Sequence, residues 1–260
     1  MIRTVNYDLG RGITAFSTLR GDDFSEYDPY SGFNACHYVG DSPDHVAASR
    51  RQLATELGIP ESNIIIPRQT HSADVAVISE IPASPDLTDS VDAIVTGMKN
   101  VAVCVNTADC VPVLLSDNAA GIIAAVHSGW RGTVKRIVAQ AVKTMASLGA
   151  DPRRTRVAMG PSICAGCFEV GNEVAEEFNR TFGRDNNIVD RTSAKPHIDL
   201  SAAIRLTLEE AGVPGENISG PIFCSRCNPR DFFSARTLGI DSGRTLSLIL
   251  QSDLLDRPVK

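Results

Sequence analysis

Three short stretches of this chain carry side chains able to bind a soft metal: Arg68-Gln69-Thr70-His71, Thr107-Ala108-Asp109-Cys110 and Ala124-Ala125-Val126-His127. Each closes or follows a run that reads as a β-strand. Two imidazoles and a thiolate make a donor set that suits zinc. Three protein ligands leave the fourth tetrahedral position open, which is the mark of a catalytic rather than a structural zinc. The three residues lie in separate segments, without the tight spacing of a zinc finger. Only the fold brings them together. Two other readings stand beside this one. The three could be unrelated buried residues, each satisfied by a backbone partner, or Cys110 could be a nucleophile with a histidine base. Asp109, next to Cys110, reads as a ligand-orienting carboxylate, a general base or a turn residue.

The stretch His127-Ser128-Gly129-Trp130-Arg131-Gly132-Thr133 joins an apolar strand to a helix through two glycines. Unpaired amides at a helix start, together with Arg131, suit phosphate or another anion. The competing reading is a tight turn in which glycine supplies positive φ. Cys164-x-x-Cys167 and Cys224-x-x-Cys227 invite a four-cysteine zinc site. The chain between them is much longer than the roughly 15 to 20 residues of a zinc ribbon, so the spacing argues against one. Cys36 and Cys104 read as small core residues. His37, His45 and His197 read as surface or hydrogen-bonded histidines.

The elements that must position these residues follow from periodicity and punctuation. Ile13–Thr18 reads as a strand, and Asp22–Gly32 as a loop. Ser42-Pro43 opens a helix over 43–57 that Gly58 stops. Six apolar runs follow, at 64–66, 75–78, 93–95, 101–105, 111–115 and 122–126. Runs this apolar are buried on both faces and are expected to form the central sheet. A helix opening at Thr133 buries Ile137, Ala141 and Met145 and ends at Gly149. Further helices run from about Asn172 to Phe182, burying Val174, Phe178 and Phe182, and from Asp199-Leu200-Ser201 to Gly212, burying Ile204 and Leu208. Strand runs followed by separate helices suggest an α+β fold.

The chain has 260 residues, 43 % hydrophobic and 22 % charged, and a formal net charge of −6. One domain with a sizeable core is the expectation. Without a cluster of lysine or arginine, neither nucleic acid nor an anionic membrane is an expected partner. Met1–Gly10 lacks the apolar run of a signal peptide, so the 7 cysteines are expected to be reduced in the cytoplasm. No apolar run is long enough to span a bilayer.

Taken together, the motifs resemble the YfiH-like laccase-domain family, also known as polyphenol-oxidase-like and as purine nucleoside phosphorylase. The resemblance is carried by Phe16-Ser17-Thr18, Val39-Gly40-Asp41, Gln69-Thr70-His71, Asp92-Ala93, Thr107-Ala108-Asp109-Cys110, His127-Ser128-Gly129-Trp130-Arg131-Gly132, Gly160-Pro161-Ser162-Ile163, Phe168-Glu169-Val170-Gly171 and Phe232-Phe233-Ser234-x-Arg236. It covers nearly the whole chain as a single domain, 1–260. It implies a complex α/β/β/α sandwich shared with CNF-type toxins, with a mostly buried central mixed sheet.

The same resemblance implies His71, Cys110 and His127 as ligands of one zinc ion with an open fourth position, copper being the lesser candidate. It implies Gln69, Asp109 and Cys110 as catalytic, and Arg20, Asn34, Gly129, Arg131 and Gly132 as substrate-binding. The implied substrates are a purine nucleoside (adenosine, inosine or methylthioadenosine) and phosphate, yielding base and ribose 1-phosphate, with adenosine deamination at the same site. Copper-dependent phenol oxidation and amide hydrolysis of a cell-wall precursor are the alternatives. The chain departs from the family pattern where Cys36 follows Asn34-Ala35, where Leu19 separates Thr18 from Arg20, and over Cys164–Phe168.

Overall fold

Two twisted sheets lie face to face, each covered on its outer side by helix. The structure, a computed structural model, describes residues 1–252 except 23, 26, 82, 185 and 186. Two residues of the Asp22–Gly32 loop, Asp23 and Glu26, are therefore outside the described set; the rest of it holds only turns and irregular backbone.

The five-stranded sheet runs β1 (Thr4–Asn6), β2 (Ile13–Thr18), β13 (Thr245–Gln251), β6 (Ala102–Thr107), β3 (Ile64–Ile65). The six-stranded sheet runs β12 (Ile218–Ser219), β9 (Arg156–Met159), β7 (Val111–Asp117), β8 (Ile122–Ser128), β5 (Ala93–Thr96), β4 (Val75–Ile78). A small antiparallel pair, β10 (Val189–Asp190) and β11 (His197–Ile198), lies apart from both. Both large sheets are mixed: β3–β6, β4–β5 and β9–β12 are parallel, and the other neighbours antiparallel.

The six apolar runs are all strands, but they do not share one sheet. Those at 64–66 and 101–105 belong to the five-stranded sheet and the other four to its partner. Stacking is the reason, because a strand between a second sheet and a helix layer is dry on both faces in either sheet. The alternation of side chains confirms the layering. Ile94, Leu114, Ile123 and Ala125 point between the sheets toward Ala15, Ile65, Val103, Val105 and Ile249. Their neighbours Val95, Val113, Leu115 and Val126 face the opposite way. There they meet helices α4 (Ile137–Ser147), α5 (Asn172–Phe182) and α6 (Leu200–Glu210). On the far side, Leu53 of α1 (Pro43–Leu57) packs on Phe16, Cys104, Leu246 and Leu248. Each fully buried Val, Leu or Ile contributes roughly 1.5–3 kcal/mol. This is the α/β/β/α sandwich.

Local signals set the helix ends. Helix α1 spans the expected residues, with Pro43 in its first turn and Gly58 left-handed at φ 67. Asp199 caps α6, its side chain accepting from Ala202 N at 2.8 Å. In α5, Phe178 is buried, whereas Val174 and Phe182 are only partly so, and Ala175 fills the space against the sheet. The helix expected to open at Thr133 is two helices. A five-residue α3 (Trp130–Val134) is capped by Lys135, and Arg136, left-handed at φ 58, turns the chain into α4 at Ile137. Two one-turn helices complete the set: α2 (Pro85–Thr88) and α7 (Ala235–Leu238). Cys36 and Cys104 are fully buried, as small core residues should be.

One buried carboxylate ties β7 to the loop before β9. Asp117 accepts from Asp151 N at 2.7 Å, Ala119 N at 3.0 Å and Arg154 Nη2 at 3.0 Å, with no side-chain exposure. Burial alone would raise its carboxyl, but the amide and guanidinium donors outweigh it and hold the group below its ordinary range. A lowered folded value means stability that is present above the unfolded carboxylate value near 4 and lost as pH falls through the folded one. Asp117→Asn is therefore expected to destabilise the fold by about 1–3 kcal/mol at neutral pH. In thermal melts, the gap from wild type should narrow between neutral pH and about pH 3. A gap that stays constant across that range would refute this role.

Candidate active site

The candidate ligands meet where the chain passes from one sheet to the other. Residues 66–74 lead from β3 in the five-stranded sheet to β4 in the six-stranded one, and carry His71. Residues 108–110 lead from β6 to β7 between the same sheets and carry Cys110. His127 sits near the end of β8, opposite Pro112 in β7 and so beside Cys110. One donor atom from each of the three lies within 4.8 Å of the others. His71 Nε2 is 3.8 Å from Cys110 Sγ, and the two imidazoles meet edge to face with centroids 4.8 Å apart. Tetrahedral zinc with ordinary Zn–N and Zn–S bonds separates nitrogen from sulfur by about 3.6 Å. The trio fits.

Space at the cluster depends on Gly129. A Cβ there would stand 2.8 Å from Cys110 Sγ and 2.9 Å from His71 Cδ2. Its φ is −74, so the glycine is needed for close approach and not for a left-handed turn. Gly132 likewise has no left-handed φ, and a Cβ would press on Ile137 Cγ2 at 3.3 Å. The turn itself is locked by Thr133, whose amide and hydroxyl both donate to Gly129 O.

Asp92 is the hub that sequence reasoning left out of the site. It immediately precedes β5 and is fully buried. Its carboxylate accepts from His127 Nδ1 at 2.6 Å, from the amides of Thr70, His71 and Ser72 at 3.1, 3.0 and 2.7 Å, and from Ser72 Oγ at 2.8 Å. Three successive amides turned on one anion form a nest, which holds His71 in the left-handed region at φ 61. Such a backbone costs about 1–2 kcal/mol in a residue with a Cβ. Asp92 thus fixes His127 through its ring and His71 through its backbone. A carboxylate directly before a wholly apolar strand, Asp92-Ala93-Ile94-Val95, is the sequence signal that could have found it.

Charge in the cluster is reinforced by proximity. Burial would raise the Cys110 thiol, but the His127 charge and the bonds from both imidazoles outweigh it and bring the thiol below its ordinary range. Burial would lower His127, and Cys110 with Asp92 pushes it up instead. Burial would raise Asp92, and the His127 bond with Ser72 brings it down. The thiolate form that a metal ligand or a nucleophile requires is favoured here.

The other expected site residues are placed as follows. Gln69 pairs with the backbone of Asn106 in both directions, donating to its oxygen at 2.8 Å and accepting from its nitrogen at 2.7 Å. It pins the His71 loop to β6. Asp109, at φ 86, accepts from Ser225 Oγ and from Arg236 N, each at 2.7 Å. Its carboxylate is engaged by the 225–236 segment. Arg131 is exposed, stacked 4.3 Å over the Trp130 ring, and makes no ion pair among the described residues. Arg20 and Asn34 make no hydrogen bond to His71, Cys110 or His127 among the described residues. Arg20 is 1 % exposed, sandwiched between Phe24 and Phe233, and donates to the carbonyls of Asp28, Ser31 and Pro229. It forms part of a surface cavity of about 510 Å³ with Phe24, Cys227 and Asp231. Asn34 donates to Asp41 Oδ2 and accepts from the amides of Cys36 and Arg244. Arg20 ties loops together through these carbonyls and Ser31 Oγ, and Asn34 does so through Asp41 and the two amides.

The two C-x-x-C pairs, expected to stand apart, come together. Cys164, Cys167, Cys224 and Cys227 each bring a sulfur to within 4.8 Å of the other three. Among the remaining histidines, His45 Nδ1 meets Asp41 Oδ2 at 2.8 Å and His37 is exposed. His197 is half-buried, and its Nδ1 has no hydrogen-bond partner among the described residues. No helix among the described residues is long and apolar enough to cross a membrane.

Residues 14–252 match the family described as "Multi-copper polyphenol oxidoreductase laccase". The chain is 49 % identical over 244 residues to "Adenosine deaminase RL5" of an unknown prokaryotic organism, covering 91 % of this chain and 93 % of that protein. It is 36 % identical over 248 residues to "Purine nucleoside phosphorylase" of Bacteroides thetaiotaomicron, covering 92 % and 91 %. The crystal structure of the Bacillus licheniformis hypothetical protein YfiH superposes with a TM-score of 0.85 at 25 % identity, covering 92 % of this chain and 93 % of that one.

Proposed function

This chain belongs to the multi-copper polyphenol oxidoreductase laccase family, and from that premise we propose that it is a zinc-dependent enzyme of purine nucleosides, deaminating adenosine and cleaving nucleosides with phosphate. The observation that carries the reading is the His71–Cys110–His127 cluster, three mixed donors with one imidazole oriented by a buried carboxylate. The names of the two relatives, adenosine deaminase and purine nucleoside phosphorylase, supply the substrate class. The family description points to many coppers, but a multicopper oxidase needs more histidines than the 5 of this chain.

His71, Cys110 and His127 would hold the ion. Bound there, zinc supplies Lewis acidity, which eases deprotonation of water near neutral pH and polarises an electrophile. Asp92 keeps the proton of His127 on Nδ1, so that the Nε2 lone pair faces the cluster. Gln69 fixes the loop that presents His71. Asp109 is a positioning residue, fastening the turn of Cys110 to the 225–236 segment. Arg131, which lies over the Trp130 ring and makes no ion pair among the described residues, is the group that takes the phosphate.

Incubation of metal-replete protein with adenosine and inosine, with and without phosphate, tests the assignment. Ammonia should appear from adenosine without phosphate, and ribose 1-phosphate only with it. Arg131→Ala removes a charged hydrogen-bond donor worth about 1.5–3 kcal/mol. It should raise the KM for phosphate roughly 10- to 100-fold and leave deamination nearly unchanged. No turnover of either nucleoside would overturn the reading.

A second reading has its own observation. Cys110, flanked by His71 and by the His127–Asp92 pair, has the make-up of a cysteine nucleophile with an oriented base. Amide hydrolysis that survives chelation and is lost on thiol alkylation would identify it.

A further inference from the structure

We infer that Cys164, Cys167, Cys224 and Cys227 form a second metal centre, a closed four-thiolate zinc site that clamps the outer wall of the active site. The sulfurs all lie within 4.8 Å of one another, and Cys167 Sγ is 3.5 Å from Cys227 Sγ. Zinc with bonds of about 2.3 Å to four thiolates spaces the sulfurs by about 3.8 Å. All four cysteines are free thiols in the structure. Four soft donors select zinc or iron over magnesium and calcium, and a full set of four leaves no open position. The site is therefore structural.

The backbone around the sulfurs is shaped for ligation. Each pair sits on a tight turn: the amides of Cys167 and Phe168 donate to Cys164 O, and that of Asn228 donates to Cys224 O. Cys164 N donates to Cys224 Sγ at 3.3 Å, a bond that favours the thiolate and orients it. Parallel pairing brings the turns together across a long stretch of sequence. Strands β9 and β12 are parallel neighbours, and their extensions run on side by side through the bridge between Ser162 and Cys224. Cys164 and Cys224 are 60 residues apart, as are Cys167 and Cys227. The parallel pairing sets the two turns side by side, with Cys224 opposite Ser162 and the equal spacing matching Cys164 to Cys224 and Cys167 to Cys227. The intervening chain is the crossover through α5, β10, β11 and α6.

The clamp has a definite object. Ser225, between two of the ligands, donates to Asp109 Oδ1 at 2.7 Å, and Ile163 N, beside a third, donates to Asp109 O at 2.9 Å. Both turns thus hold the residue that precedes Cys110. This inference stands apart from the catalytic reading, since none of the four cysteines belongs to the His71–Cys110–His127 cluster.

The test is zinc content by elemental mass spectrometry on the full chain, with X-ray absorption at the zinc edge of Cys110→Ala. That variant is expected to keep about one zinc per chain, bound by four sulfurs at about 2.3 Å. A Cys164→Ser/Cys227→Ser variant should lose that zinc while keeping the one at the other cluster. Should it fail to fold, the spectrum of Cys110→Ala decides alone. Metal-free Cys110→Ala with four titratable thiols, two disulfides in place of the thiols, iron in place of zinc, or a shell containing nitrogen would each overturn the proposal. A wild type whose zinc is undiminished in Cys110→Ala would refute the active-site zinc and leave the four-thiolate site intact, so the two failures are distinguishable.

Discussion

Cys110→Ala is expected to lower nucleoside turnover by about a thousandfold or more while leaving the fold in place. The magnitude follows from the several kcal/mol that a catalytic metal contributes, each 1.36 kcal/mol being tenfold in rate. Removing the thiolate leaves His71 and His127, two neutral donors without the charge that draws a dication. It also removes the partner that, with Asp92, holds His127 above its ordinary range. The scaffold should tolerate the change, since Cys110 is only half-buried and lies in a turn between strands rather than within a hydrophobic layer. Steady-state rates on adenosine and inosine, with a thermal melt as the control for folding, read the result. Wild-type turnover in a folded variant would remove Cys110 from both the zinc and the nucleophile readings.

Asp92→Asn is expected to weaken metal binding about 10- to 100-fold and to destabilise the metal-free protein by about 1–3 kcal/mol. The substitution is nearly isosteric, so the cost is one of hydrogen-bond polarity. Oδ1 accepts from His71 N and His127 Nδ1, and Oδ2 accepts from Thr70 N, Ser72 N and Ser72 Oγ. An amide NH₂ in the first position opposes the His71 amide and turns His127 to the tautomer whose Nε2 carries the proton. In the second position it opposes the amides of Thr70 and Ser72 and loosens the nest that holds His71 left-handed. Either orientation disturbs one ligand. Chelator competition measures the affinity, and melts of the apo form measure the stability. Unchanged affinity in the variant would mean that Asp92 serves the fold alone.

Much of the local structure was legible because its causes lie within a few residues. Ser42-Pro43 and Gly58 bound α1 by their own backbone preferences. Apolar and β-branched runs identify seven of the strands, whereas β13, with Thr245-Leu246-Ser247-Leu248 alternating, and the short β1, β9, β10, β11 and β12 carry no signal so clear. The residue types of His71, Cys110 and His127 determined which chemistry was available, because donor softness belongs to the side chain. Their meeting did not depend on sequence separation at all.

Everything that required a partner from elsewhere was decided by the tertiary structure. Which sheet a strand joins depends on register and stacking, and a dry strand looks the same in both. Arg20 and Asn34 match the motif in type, and their bonds to loop carbonyls, to the Asp41 carboxylate and to the Arg244 amide are ones that no local pattern reveals. Asp92 gains its role from five donors gathered out of two segments. A spacing rule drawn from compact ribbons argues against joining the four cysteines, whereas a parallel crossover sets two turns side by side over any loop long enough to hold it. Residue types and local punctuation account for most of the elements and for all of the donors, since those are properties of a residue and its neighbours. Their convergence was decided by the sandwich, because contact across a sheet is a property of pairing.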